Sequence, residues 1–415
     1  MKERVVVTGM GVISAIGIGL EEFWSGIKAG KPGIAPITRF DTKDVPCKVA
    51  GEVKNYEPKQ WLDHRTIQRS AHFAQFAMIA ALEAWKHAGL SKEMFDAAPE
   101  RCAIILGNGI GGLEADNDAQ RKLVEKGASR IPAMTIPKII GNEAAGNISM
   151  LLGIRGLSHT IITACASGTD AIGHALYYIQ NGYADVVVTG GTEAAVTEYA
   201  IGGFCALKAL STGFNETPER ASRPFDKKRD GFVMGEGAGI LILESLTHAQ
   251  KRNAGIYAEI AGFSATSDAY HLTAPDPQGS GATHAIRLAL TEAGMKPEEV
   301  DYINAHGTST PTNDPIETLA IKNAFGDHAY KLKVSSTKGM TGHCIGAAGG
   351  IEAVISVKAM EEGFYPPTIN LEEPDPACDL DYVPNVGKTG NIRAAVSISL
   401  GFGGHNSVIV MKKWE

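Results

Sequence analysis

Long apolar runs are missing from this sequence. No stretch approaches the roughly 20 apolar residues that a membrane-crossing helix needs. The N-terminus, MKERVVVTGMGVIS, enters a strand-like pattern without the apolar core of a secretory signal. A cytoplasmic protein with no membrane partner is therefore expected. Cysteine is scarce. The six residues Cys47, Cys102, Cys165, Cys205, Cys344 and Cys378 form no CxxC pair, which argues against a zinc site and a disulfide framework and suits a reducing compartment. Basic residues are not in excess either: 39 Lys and Arg face 46 Asp and Glu, a net charge of −7, so no general nucleic-acid partner is expected.

What is present is an ordinary globular composition, 44% hydrophobic and 20% charged over 415 residues, with 48 glycines clustered at the ends of apolar runs. A core of this size accommodates two packed halves. Short β-branched runs read as buried strands: 4–9, 102–107, 160–165, 185–191, 238–244, 258–265, 300–307, 333–339 and 394–404. Helical periodicity fills the intervals, as in 70–89 and 283–294. Near-continuous apolar strands alternating with helices predict an α/β fold whose sheets are covered on both faces. A weak internal repeat adds to this. Laying Gly168 on Gly349 places Gly182 on Gly363 and Tyr183 on Phe364, so the chain reads as two related α/β halves, 1–251 and 252–415, joined near the polar segment 248–255.

Two glycine patterns imitate a dinucleotide fingerprint: GMGVIS at 9–14 and GNGIGG at 107–112. Each follows a strand, but neither leads to the acidic residue about 20 positions on that would hold a ribose. A turn leaving a strand is the expected role of both, and a nicotinamide oxidoreductase is the outside alternative.

The residues with chemistry lie elsewhere. Cys165, in TACASG, ends a strand where a helix begins, a place where unpaired N–H groups and the helix dipole favour a thiolate. His306 in NAHGTST and His343 in STKGMTGH each stand in a Gly/Ser/Thr-rich turn after a β-run, where α/β sheets present side chains to a ligand. His72, His87 and His174 sit in helical patterns and read as structural. GFGGHN (401–406) supplies a turn whose backbone N–H groups can face a substrate oxygen.

In this order TACASG, NAHGTST, STKGMTGH and GFGGHN resemble the β-ketoacyl-[acyl carrier protein] synthase family, of the thiolase fold, and the similarity runs end to end, including RPFDKKRDGFVMGEGAG (223–239). The resemblance is to the type II, long-chain elongating branch. The type I branch and ketosynthases of polyketide or other specialised acyl pathways share the same motifs. Type III and chalcone-type enzymes carry Asn at the position of His343, thiolases need a second Cys in the glycine loop, and non-catalytic partner subunits lack the Cys. The resemblance implies two thiolase-like halves in an α-β-α-β-α stack and a decarboxylative Claisen condensation. Cys165 would carry the acyl group, the N–H groups of Cys165 and Phe402 would hold the oxyanion, and His306 and His343 would stabilise the enolate from the malonyl unit. Lys338, paired with Glu352, would tune the field. Thr308 and Thr310 would bind the phosphopantetheine arm, Phe402 and Phe204 would gate the acyl pocket, and Ile110 would line it. The implied partners are acyl- and malonyl-carrier protein, docking on Arg65, Arg69 and Lys208, and a second copy in a homodimer. No cofactor of the enzyme's own is implied beyond a structural alkali cation whose ligands the sequence does not locate.

Overall fold

An 11-stranded sheet organises the protein in the computed structural model, which describes residues 2–415. Its first half contains β1 (Val5–Ser14), β2 (Cys102–Asn108), β3 (Ser158–Ile161), β4 (Val186–Glu193) and β5 (Gly237–Ser245). Its second half contains β6 (Ala258–Ser267), β7 (Tyr302–Asn304), β8 (Lys333–Ser335), β9 (Ala394–Gly401) and β10 (His405–Lys413). The remaining strand, Gly17–Ile18, folds back on β1. Both halves use one strand order, β3-β2-β4-β5-β1 and β8-β7-β9-β10-β6. In each, the first two pairings are parallel and the last two antiparallel. The halves join where β1 meets β6 antiparallel at Val6–Glu259 and Val7–Ala258.

Helices cover every sheet face, as fully buried strands such as β1, β4 and β5 require. Helix α1 (His72–His87) packs on β1 and β5 outside the first half. α2 (Ser167–Gln180) and α5 (Ala348–Glu362) lie between the halves, and α3 (Ser280–Glu292) covers β6 and β10, with α4 (Asn313–Phe325) beside it. The result is the expected α-β-α-β-α stack. The two central helices begin with small residues because they cross there. A Cβ on Gly168 would meet Gly350 N at 2.8 Å, and one on Gly349 would meet Thr169 N at 2.5 Å. Further along, α5 buries Ile351, Val354, Ile355 and Val357, each worth about 1.5–3 kcal/mol in area removed from water.

Several boundaries differ from the sequence reading. GMGVIS is not a turn but the C-terminal part of β1, and its glycines let the strand touch α1: a Cβ on Gly9 would lie 2.3 Å from Ala84 O. The strand expected to reach Cys165 stops at Ile161, because Ala164 adopts φ +51° and starts a 3-10 turn, Ala164–Ala166. The run 300–307 is a strand only over Tyr302–Asn304, and 333–339 only over Lys333–Ser335, after which Lys338 opens a short helix, Lys338–Thr341. The run 394–404 is one arm of a hairpin, and its second arm, β10, was not expected.

Candidate active site

Cys165 lies in the 3-10 turn that feeds α2. Ser167 secures this turn: its hydroxyl donates to Ala164 O at 2.6 Å and accepts from Thr163 N at 2.9 Å. The β9–β10 turn of the other half comes down on it, so closely that a Cβ on Gly401 would lie 2.7 Å from Thr163 O and 3.3 Å from Cys165 N. This approach aims the backbone N–H of Phe402, together with that of Cys165, at the sulfur. Both expected oxyanion donors therefore converge on one atom. The thiol differs from the sequence expectation in its resting state. Burial pushes it up to about 12, outweighing the opposing pull of the Lys338 charge and the two N–H groups. The helix terminus is where the sequence put it, but desolvation of the charged form is the larger effect.

The two imidazoles come from the second half. His306 follows β7, and its N–H donates to Glu317 Oε1 at 2.6 Å while Gly307 N donates to Oε2 at 2.7 Å. His343 is pinned by its own N–H to Val233 O at 2.7 Å and by Gly235 N to its carbonyl at 2.9 Å. The rings stand perpendicular, centroids 5.1 Å apart. Burial, then the Lys338 charge, holds both well below the usual imidazole range, so both are neutral at pH 7. Each leaves Nδ1 buried without a hydrogen-bond partner. A buried orphan N–H is rarer than an orphan acceptor, so the proton belongs on Nε2.

Lys338 is buried, which removes the alternative of an ordinary surface lysine. Its ammonium donates to His306 O at 2.5 Å and pairs closely with Glu352. For an alkali cation, the residues present fit. Asn304 and Ser397 are register partners across β7 and β9, and Asn304 Oδ1, Ser397 Oγ and Glu352 Oε2 are all buried oxygens without partners, the donor type that hard cations prefer.

A cavity of 460 Å³ gathers Cys165, His306, His343, Phe204, Phe402, Thr308, Thr310, Ile110 and Lys208 on one wall system. The rings of Phe204 and Phe402 are 6.3 Å apart, and Phe232 stands between Phe204 and His343. Thr308 and Thr310 share a 3.1 Å hydroxyl contact. An apolar groove shares Ile110, Phe204 and Leu207 with this cavity and continues past Leu113 and Tyr199. Arg65 and Arg69 are exposed on the helix His64–Arg69 and do not line the cavity. His72, His87 and His174 sit apart from it: His72 pairs with Glu114, His87 accepts from Met10 N, and His174 leans on Phe263. The sequence reading missed Glu317 and Glu193. Their signal, an acid beside a glycine or inside an apolar segment, is visible only weakly as GGTEA and NDPIET.

Comparison with known proteins supplies independent findings. The family model "Beta-ketoacyl synthase, N-terminal domain" matches residues 2–249, and "Beta-ketoacyl synthase, C-terminal domain" matches 257–372. The chain is 51% identical over 414 residues to the 3-oxoacyl-[acyl-carrier-protein] synthase 2 of Synechocystis, covering 100% of this chain and 99% of that protein. It is 49% identical to the protein of the same name from Coxiella burnetii, covering 99% of each. Among solved structures it resembles the ketosynthase of a type II polyketide system in complex with its acyl-carrier protein, with a TM-score of 0.93, 36% identity and full coverage of both chains. The ishigamide ketosynthase/chain length factor gives a TM-score of 0.92 at 38% identity, again with full coverage of both.

Proposed function

The chain belongs to the β-ketoacyl synthase family, and from that premise we propose that it is a 3-oxoacyl-[acyl carrier protein] synthase that lengthens fatty acyl chains by two carbons. The observation that carries this reading is a sulfur and two neutral imidazoles facing one cavity, with two backbone N–H groups aimed at the sulfur. In the first half-reaction the Cys165 sulfur attacks the thioester of an acyl carrier protein. The new C–S bond replaces the carrier's, and the thiol proton ends on the departing pantetheine sulfur. The tetrahedral oxyanion is held by the N–H groups of Cys165 and Phe402, dipoles that need no reorganisation. In the second, the malonyl thioester loses carbon dioxide, and Nε2–H of His306 and His343 donate to the enolate oxygen. The enolate carbon bonds to the acyl carbonyl, and the Cys165 sulfur leaves and takes up one proton. Neutral rings suit this role, because an imidazolium would surrender its proton to the enolate rather than hold it.

The rest of the site serves the same sequence. Lys338 and Glu352 fix the field behind His306. Asn304, Ser397 and Glu352 would hold an alkali cation, which supplies only a fixed positive charge. The groove beyond Phe204 and Ile110 takes the acyl tail, and Thr308 and Thr310 bind the pantetheine arm. No cofactor of the enzyme's own enters the reaction. Residues 1–251 bring the nucleophile and 252–415 the imidazoles. Arg65, Arg69 and Lys208 offer positive charge to an acidic carrier. A second copy is the proposed occupant of the free edge of β3. That strand presents unpaired backbone beside exposed Ile162 and Met150, and a two-fold axis would pair it antiparallel with itself. Six free thiols fit a reducing cytosol, and among the described residues no helix is long and apolar enough to cross a membrane.

Mixing the protein with a carrier protein loaded with an acyl thioester and digesting it tests the reading. The acyl mass must appear on the peptide containing Cys165, and its absence there would overturn the assignment.

A further inference from the structure

Beneath the Ile110 turn lies a carboxylate that these steps do not use. Glu193 ends β4 with no exposed surface, and among the described residues no Lys or Arg side chain bonds to it. All its partners are N–H groups. Oε2 accepts from Gly109 N at 2.9 Å and Gly346 N at 3.2 Å, and Oε1 accepts from Ile110 N and Asn108 Nδ2, both at 3.3 Å. The donors come from two places. One is the turn after β2 that brings Ile110 to the cavity wall, and the other is the 3-10 turn Ile345–Ala347, just after His343. The two turns also touch directly, since a Cβ on Gly346 would lie 2.3 Å from Gly109 N. An apolar residue at 193 would fill the space but leave buried N–H groups from both halves without acceptors, whereas a carboxylate presents enough lone pairs for all of them.

We propose that Glu193 is a positioning residue that sets acyl-chain selectivity by clamping the Ile110 wall of the first half to the His343-bearing turn of the second. This rests on the reading of the site as a condensing centre. An independent readout exists because Glu193, whose carboxyl is pushed up to about 7 by burial, raises the Cys165 thiol once it is ionised.

Two variants approach the clamp from opposite sides. Glu193→Gln keeps the shape but turns one acceptor into a donor facing other donors. Gly109→Ala leaves Glu193 intact, yet its new Cβ would lie 2.6 Å from Oε2, and Gly109 is not left-handed, so alanine fits its backbone. kcat and KM are measured over carrier-bound acyl chains of increasing length, and Cys165 alkylation by iodoacetamide is followed against pH. Both variants should change the ratio of kcat/KM between long and short chains about tenfold. Glu193→Gln alone should also speed alkylation above about pH 8, where the wild-type carboxyl is charged, by roughly three- to tenfold. An unchanged chain-length ratio in the folded variants overturns the proposal. So does an equal loss at every length with an unmoved alkylation profile, or a failure of both variants to fold, which would make Glu193 a folding residue. Wild-type protein that no carrier substrate acylates at Cys165 would instead break the condensing reading.

Discussion

Two strand-to-helix junctions in this molecule share a backbone and divide the work. In the alignment that lays Gly168 on Gly349, Ala164 falls on Ile345, and both adopt left-handed φ, +51° and +46°. Each opens a 3-10 turn, each turn feeds a helix between the halves, and a left-handed glycine follows each helix, Gly182 at φ +74° just past the Asn181 cap and Gly363 at φ +62° as the cap itself. A left-handed β-branched residue such as Ile345 costs of order 1–3 kcal/mol and persists only where the surroundings impose it. The next residue differs. Cys165 presents a sulfur to the cavity, whereas Gly346 presents an N–H to Glu193, with no room for a side chain. Three residues before Cys165 the contrast inverts: Ile162 is 63% exposed, and its counterpart His343 is buried at 3%. One duplicated backbone therefore holds a nucleophile in one copy and a clamp with an imidazole in the other. The assignment follows from what packs over each copy.

The sharpest way to break this contrast is at the nucleophile. Cys165→Ala should lower condensation by roughly 10³-fold or more while leaving the denaturation midpoint in place, since an alanine fits a half-buried position. A stability loss comparable to the activity loss would make the first junction structural like the second. Next, His306→Ala and His343→Ala should each slow decarboxylation by about 10²- to 10³-fold. Acyl loading of Cys165 should survive, read as acyl-peptide by mass and as carbon dioxide release. Equal loss of both steps would mean that the imidazoles serve the sulfur rather than the enolate.

Alkylation of Cys165 sharpens the electrostatic side. Its thiol lies near 12, so the thiolate fraction, and with it the iodoacetamide rate, should rise about tenfold per pH unit from pH 7 to 10 without levelling. A plateau below pH 9 would show that the N–H groups and Lys338 outweigh burial. At the second junction, Gly346→Ala should cost about 1–3 kcal/mol through its clash with Gly109, measured by urea denaturation. A smaller cost would mean that the two turns can part. The least effect belongs to the surface. Charge reversal at Arg69 and Lys208 should raise KM for carrier-bound substrate a few-fold, as single exposed charges do, with alkylation of Cys165 unchanged.

Much of this was legible in the sequence because it is local. Strand runs and helical periods depend on neighbours a few residues apart, and with the glycine-marked repeat they give an α/β chain of two related halves, while the layered stack is what the family resemblance implied. Cys165, His306 and His343 were legible because reactive side chains stood in small-residue or glycine-rich turns after strands, whereas Ile110, Phe204, Thr308, Thr310 and Lys208 were expected only from the resemblance. Glu193 and Glu317 were not, since an acid in an apolar segment gains meaning only when backbone N–H groups from distant segments turn toward it. The ends of β3, β7 and β8 were misplaced for a related reason. Ile162, Ala305 and Ser336 follow these strands in sequences that would continue as strand, and tertiary contacts cut the strands short.

By itself the sequence determined the kinds of residue, their order and the pattern that folds twice in the same way. Only the tertiary structure decided the protonation state of Cys165, the neutrality of His306 and His343, and the burial of Lys338. Those properties depend on desolvation and on charges a few ångströms away through space, contributed by segments far apart along the chain.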